Sequence, residues 1–224
     1  MNCTAKTVDF RFSIVNHQKK YSQEKTVLER FCKTMHGNLL LQIGVSDHTI
    51  HFCDHVQVIK TLYLDQCYRF HNGKRYIQAA IDHLPIESDS IDIVLMLHQF
   101  EGEKNSQKMT NILQEAHRTL KPNGKIIIIG NNPWSGWRFF SADKQWKKCI
   151  SAGKIKRYLC QLDFQLILHD SFYFYPPKIV VEMLCQFLFP YFGGIFMVAA
   201  TKKVLGMTPW LIKEFNTAQV FETQ

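Results

Sequence analysis

An α/β fold built on a mostly parallel sheet is predicted by three observations on the chain. The run Ile91-Asp92-Ile93-Val94-Leu95 is nearly continuous apolar, as a strand covered on both faces is. Met109, Ile112, Leu113, Ala116 and Leu120 then recur at helical spacing and give one buried stripe. A second apolar run, Lys125 to Gly130, follows directly. Strand, helix and strand in that order build parallel sheets, whose ligands sit at the carboxyl ends of the strands.

The elements follow in order. Residues 21–36 predict an amphipathic helix with Val27, Leu28, Phe31, Cys32 and Met35 inward, stopped at Gly37. Leu39–Ile43 predicts a short strand running into Gly44. A helical or irregular stretch, Asp47 to His55, precedes a second strand at Val58–Leu64, ending at Asp65. Tyr76–Ala80 and Ser90–Leu97 predict the third and fourth strands. Lys121-Pro122-Asn123-Gly124 stops the next helix, because proline cannot continue it and glycine tolerates a left-handed turn. The fifth strand is Lys125–Gly130.

Beyond it the pattern changes. Residues 133–153 are aromatic and basic, Lys154–Leu162 reads as a helix, and Phe164–Phe174 contains a strand. Pro176-Pro177 marks a turn before a helix near Val180–Leu188 and a last strand near Phe192–Thr201. With no repeat and no low-complexity linker, residues 1–224 are expected to form one domain. Its motif-bearing core is 39–133, and an aromatic and basic lid with the C-terminal strands occupies 134–224.

Composition narrows the class. A 46% hydrophobic and 13% aromatic chain is globular, not disordered. Seven cysteines, an odd number without a C-x-x-C pair, suit buried thiols in a reducing compartment. No apolar leader segment is evident at the N-terminus, so a cytoplasmic protein is expected. The Val180–Ala200 stretch is apolar enough to raise a membrane span, but Glu182, Gln186, Pro190 and Gly193-Gly194 interrupt it, so no membrane partner is expected. The net charge of +8 gathers partly at Lys144, Lys147, Lys148, Lys154, Lys156 and Arg157, which reads as a solvated face or as a site for phosphate.

Other patterns exclude more than they include. His48, His51 and His55 share a helical face, yet no glutamate base or further ligand completes a zinc site, so no metal is expected. There is no G-x-S-x-G, no phosphate-loop lysine motif and no N-P-P-[YF]; Asn131-Asn132-Pro133-Trp134 comes after the fifth strand, not the fourth. His98 lies just past the fourth strand, at the ligand-facing edge, with Glu101 close behind. Trp134, Trp137 and Tyr175, among other aromatics after the fifth and sixth strands, are candidates for a substrate pocket at the same edge or for core beneath a lid.

Asp82-His83-Leu84-Pro85-Ile86, then Ser90-Ile91-Asp92-Ile93-Val94, then Glu115-Ala116-His117-Arg118-Thr119-Leu120-Lys121-Pro122-Asn123-Gly124, occur in one order and spacing. Together they resemble the L-P-F, S-F-D-x-V and E-x-x-R-x-L-K-P-G-G signatures of the class I S-adenosylmethionine-dependent methyltransferases, most closely the small bacterial "type 11" group. Asn132-Pro133-Trp134-Ser135 and Met207-Thr208-Pro209 are similar to one bacterial branch of it. The resemblance covers about residues 39–133. It implies a Rossmann-like three-layer sandwich, a seven-stranded sheet with an antiparallel last strand, and S-adenosylmethionine as cofactor.

The resemblance also implies a cofactor shell. The family's acidic-x-Gly-x-Gly-x-Gly turn falls on Gln42 to His48: Gly44 is kept, Gln42 replaces the acid, Ser46 the second glycine and His48 the third. Small residues there let the backbone approach the cofactor. Asp65 falls where a carboxylate accepts from the ribose hydroxyls, and the adenine-contacting position falls on Ala80, with Ile81 and Asp82 next. Val45, Leu97 and His98 complete the implied contacts. Because a sulfonium is already a good leaving group, positioning carries much of such a reaction, and His98 is the candidate base for a protonated nucleophile. Methyl transfer to a small-molecule acceptor is the expected function. Two alternatives stand beside it: a catalytically silent module of this fold, and RNA methylation through the basic 144–157 segment.

Overall fold

The computed structural model describes residues 20–31, 33, 35–44, 57–65, 76–101, 105–137, 149–174, 188 and 191–203. Isoleucine-rich runs form the middle of one sheet, and the strands in chain order are β1 (His36–Ile43), β2 (Gln57–Asp65), β3 (Tyr76–Gln78), β4 (Ile91–Leu97), β5 (Leu120–Asn131), β6 (Phe164–Phe172) and β7 (Ile195–Lys202). They lie side by side as β3-β2-β1-β4-β5-β7-β6. Pairing is parallel from β3 through β5, and β7 runs antiparallel to both of its neighbours. The expected Rossmann-like sheet, seven strands with the last one reversed, is therefore present.

Both faces of the central strands β4, β5 and β7 are buried, which is why these strands read as continuous apolar runs. Ile91, Val94, Met96, Ile126 and Ile128 point to the face covered by α2 (Ser106–Thr119) and α3 (Ala152–Gln161). Ile93, Leu95, Leu97, Ile127 and Ile129 point to the other face, where Leu28 of α1 (residues 20–31) packs. Asn105 starts α2, its side chain accepting from the backbone N–H groups of Gln107 and Lys108. At the far end, Lys202 of β7 donates from Nζ to the carbonyls of His117 (2.9 Å) and Leu120 (2.7 Å), satisfying groups a helix terminus leaves open.

The signature residues turn out to be structural clamps. Asp92 sits at the amino end of β4 and accepts from the backbone N–H of Asn38 and Leu39 and from Lys121 Nζ, at 2.9–3.0 Å. Burial pushes its pKa up, but these donors outweigh that and hold the carboxyl below its ordinary value. Glu115 accepts the Leu84 backbone N–H, and Arg118 donates to the Leu84 and Ile86 carbonyls. The two thereby fasten the 81–90 loop to α2.

Three expectations on local structure are corrected. Gly37 does not stop the first helix; it lies within β1. The Lys121–Gly124 stretch does not separate helix from strand, because β5 already begins at Leu120, which pairs with Ile91. Asn123, not Gly124, takes the left-handed backbone there (φ 63°), while Gly124 is required by space: a Cβ would lie 2.8 Å from the Lys121 carbonyl. Cys160 is an exposed thiol on α3, not a buried one. The 47–55 histidine stretch, Lys144, Lys147 and Lys148, the Pro176-Pro177 turn and all but residue 188 of the 180–188 helix lie outside the described residues. Among those described, no helix is long and apolar enough to cross a membrane.

Candidate functional site at the carboxyl edge of the sheet

The strand order reverses between β1 and β4, and open α/β sheets bind ligands in the crevice this creates. Gly44 lies there, at the end of β1, with φ +86° and its N–H donating to the Leu64 carbonyl of β2 (3.3 Å). A Cβ at this position would come within 2.3 Å of the Leu97 carbonyl and 2.0 Å of Gln99 Nε2. Gln99 holds its side chain over the turn by donating to that same Leu97 carbonyl (2.8 Å). Only glycine meets both the conformation and the space.

The other predicted cofactor positions share this edge. Asp65 closes β2 and pairs with Gln78 of β3 in the parallel register. Ala80 follows β3 and is exposed, Asp82 is half-buried, and Ile81 belongs to the core. Gln42 is fully buried in β1 between Tyr63 and Leu95, and Leu97 is buried at the end of β4. The topology thus brings Gly44, Asp65, Ala80–Asp82 and Leu97–His98 to neighbouring strand ends. Val45 and Ser46 lie outside the described residues.

His98 is the most constrained of them. Its backbone is left-handed (φ 54°), a conformation that histidine adopts more readily than most residues and that costs roughly 1–3 kcal/mol. Its N–H donates to the Ile129 carbonyl of β5 (2.8 Å), and the twisted backbone turns the imidazole between two carboxylates. Nε2 meets Glu24 Oε1 of α1 at 3.0 Å, and Nδ1 meets Glu101 Oε1, which also accepts the Asn131 N–H of β5 (3.3 Å). Burial opposes charge on the ring, yet Glu24 and Glu101 outweigh both that and the nearby Lys20, pushing His98 up to about 9. Burial likewise pushes Glu101 up, but the hydrogen bond and charge of His98 hold it below its ordinary value. A value pushed up to about 9 favours the charged ring between Glu24 and Glu101 at neutral pH.

Sequence reasoning found His98 and Glu101 but missed Glu24, Lys20 and Asn131. Glu24 is 0% exposed, Lys20 lies 3.8 Å from it, and Asn131 is 1% exposed. The signal was in the helical spacing: Lys20, Glu24 and Leu28 form one i, i+4 stripe, so two charges occupy the buried face of α1. Among the described residues, two oxygens and one nitrogen of this cluster have no hydrogen-bond partner: Glu24 Oε2, Asn131 Oδ1 and Asn131 Nδ2.

The proposed aromatic pocket divides. Trp137 is placed in the core, stacked on Tyr173 (centroids 4.6 Å apart, planes within 1°), with Nε1 donating to the Tyr173 carbonyl. Both its face and its polar atom are spent on joining the segment after β5 to the end of β6. Trp134 is 65% exposed, in a turn that Asn132 builds by accepting the Trp134 N–H and donating to the Tyr191 and Gly193 carbonyls. Tyr175 lies outside the described residues.

Residues 63–128, from β2 into β5, match the family model described as a methyltransferase domain. The whole structure is similar to a SAM dependent methyltransferase from Archaeoglobus fulgidus (TM-score 0.65, 18% identity, covering 81% of this chain and 94% of that one). It is also similar to an S-adenosylmethionine dependent methyltransferase from Mesorhizobium loti (TM-score 0.57, 15% identity, 79% and 96% covered). This is the class I methyltransferase fold. No curated protein sequence matches the chain. The same methyltransferase-like architecture is shared by the [4+2]-cyclase SpnF (TM-score 0.58, 11% identity, 81% and 80% covered), so the reaction is argued from the site and not from the sheet.

Proposed function

We propose that this chain transfers a methyl group from S-adenosylmethionine to a small-molecule acceptor. The observation that carries the reading is the Gly44 turn at the β1/β4 reversal: a left-handed glycine, backed by the Leu97 carbonyl, whose cradle any Cβ would fill. The residues present fit the cofactor. Gly44 offers close backbone approach, Asp65 accepts from the ribose, and Ala80, Ile81 and Asp82 border the adenine. The cofactor supplies an electrophilic methyl on a sulfonium that departs as a neutral thioether. The chain then has to hold the acceptor in line and exclude water, and effective molarities of such positioning account for about 7–11 kcal/mol of a barrier.

His98 serves that positioning. Charged and tied to both Glu24 and Glu101, it fixes α1 across the ends of β4 and β5 beside the glycine turn. Burial of Gln42 where the family carries an acid favours one alternative, a fold that binds without catalysing. Calorimetry separates the two readings. Saturable binding of S-adenosylhomocysteine, with methyl turnover on an accepted substrate, is expected; absence of binding at millimolar nucleoside overturns the enzyme reading. A cytoplasmic setting suits this activity.

A further inference from the structure

Four of the six large hydrophobic side chains that stand exposed among the described residues fall in one region of the fold. Trp134, Leu188, Tyr191 and Phe192, each more than half exposed, belong to the segments that leave β5 and enter β7. Asn131 ends β5 opposite Ile195, which begins β7, so both segments lie at the carboxyl edge of the parallel strands, the edge that carries the Gly44 turn. Buried Asn132 locks them side by side. Its backbone N–H donates to the Gly194 carbonyl (2.8 Å), and its side-chain amide donates to the Tyr191 and Gly193 carbonyls (2.8 and 2.9 Å). Its side-chain oxygen accepts the Trp134 N–H (3.1 Å). The exposed aromatic groups thus stand on a fixed base, and large apolar side chains gathered in water at one place mark an interaction surface. A cation adjoins it. Tyr191 stacks on His169 of β6 (centroids 5.1 Å apart, planes within 10°), and Lys156 of α3 reaches the same ring, Nζ lying 3.1 Å from Nδ1. Burial and the neighbouring Lys156 push His169 down to about 4, so the imidazole is neutral and the positive charge stays on the lysine.

We infer that this surface docks the carboxyl edge of the sheet on an anionic lipid bilayer. Trp134 and Tyr191 suit the boundary between headgroups and hydrocarbon, because each has an apolar body and one polar atom that stays wet. Leu188 and Phe192 add apolar area that enters the same boundary. The run Leu188-Phe189-Pro190-Tyr191-Phe192 carries no charge that insertion would have to strip of water. Lys156 and the net charge of +8 supply the attraction to phosphate headgroups. A second copy of the chain would meet the surface with the same positive charge, which opposes that association. No described helix is long and apolar enough to cross a membrane, so the contact is peripheral. It stands apart from the methyl-transfer reading, since attachment to lipid requires no bound cofactor.

The test is co-sedimentation of the full chain with two kinds of vesicle, phosphatidylcholine alone and equal parts phosphatidylcholine and phosphatidylglycerol. Binding is expected to the mixed vesicles and is expected to fall as salt is added, because exposed charges are screened. Trp134→Ser and Phe192→Ser are each expected to weaken it about tenfold, from apolar area that no longer leaves water. Lys156→Gln is expected to weaken it about fivefold, the share of one lysine beside an anionic surface. Thermal melting followed by circular dichroism shows whether each variant folds like the wild type; should Phe192→Ser not, Leu188→Ser carries the same comparison. Absence of binding to the mixed vesicles, or binding that none of the folded apolar variants weakens, overturns the surface. Equal binding to both vesicles, unmoved by salt and by Lys156→Gln, overturns its preference for anionic lipid. A dimer in lipid-free buffer that Phe192→Ser dissociates, with no vesicle binding by the wild type, assigns the surface to a second copy and overturns the inference.

Discussion

At the scale of single residues, Gly44 concentrates the argument, because conformation and space act on one atom. The Cβ of an alanine would meet Gln99 Nε2, the far end of a flexible chain, and the Leu97 carbonyl, which is backbone and cannot yield. The positive φ adds strain of roughly 1–3 kcal/mol. Gly44→Ala is therefore expected to lower the melting temperature and to weaken S-adenosylhomocysteine about tenfold or more in calorimetry, since about 1.4 kcal/mol is a factor of ten. Adding Gln99→Ala removes the soft contact only. If the double variant regained wild-type binding, side-chain crowding and not the backbone would be the reason for the glycine. That glycine was legible in the sequence because it ends an apolar strand. Asn131 was not, since a polar residue closing a strand carries no mark of whether its amide is met.

At the scale of elements, the signatures read in the sequence act away from the ligand edge. Asp92 gathers the amino ends of β1 and β4, opposite the crevice, and Glu115 with Arg118 fastens the 81–90 loop to α2. The E-x-x-R spacing places the two residues one helical turn apart, where the guanidinium grips Glu115 at 2.9 Å and still reaches the Leu84 and Ile86 carbonyls. Arg118→Ala is expected to destabilise the fold by about 1–2 kcal/mol in chemical denaturation, less than a buried pair because the side chain is partly solvated. Glu115→Ala is expected to speed hydrogen exchange at the Leu84 amide by about tenfold, with the β4 and β5 amides unchanged. Equal protection at Leu84 in the variant would show that α2 does not hold this loop. The element order was legible because the central strands β4 and β5 are buried on both faces and α2 keeps a strict stripe. The limits of β1 and β5 were not: Gly37 and Lys121–Gly124 look like punctuation, yet tertiary pairing extends both strands through them.

At the scale of the whole molecule, the sequence showed which strand ends converge, but not that α1 reaches across them through charge. Lys20 and Glu24 are 74 or more positions from the histidine they surround, and no local pattern announces that meeting. The consequence is a pH dependence of the entire fold. His98 is raised from 6.5 to about 9 because Glu24 and Glu101 overcome its burial. A raised histidine contributes stability fully below its unfolded value, about 6.5, and loses it as pH climbs through 9. Glu101, held below its ordinary value, contributes above its unfolded pKa and loses that contribution as the medium becomes acidic enough to protonate it in the fold. Unfolding free energy is thus expected to fall between neutrality and about pH 9, with α1 loosening as the bridge discharges. Lysine and tyrosine titrations also act on the alkaline side, so the quantity to measure is the wild-type curve minus that of His98→Gln. That difference should be largest in the near-neutral and mildly acidic range and vanish in strong alkali, while the imidazole carbon resonances of His98 titrate near 9. A ring that titrates at its ordinary value, or a difference curve flat from neutral to alkaline pH, would mean that Glu24 does not bind His98 as an ion pair and that α1 is held by its apolar stripe alone.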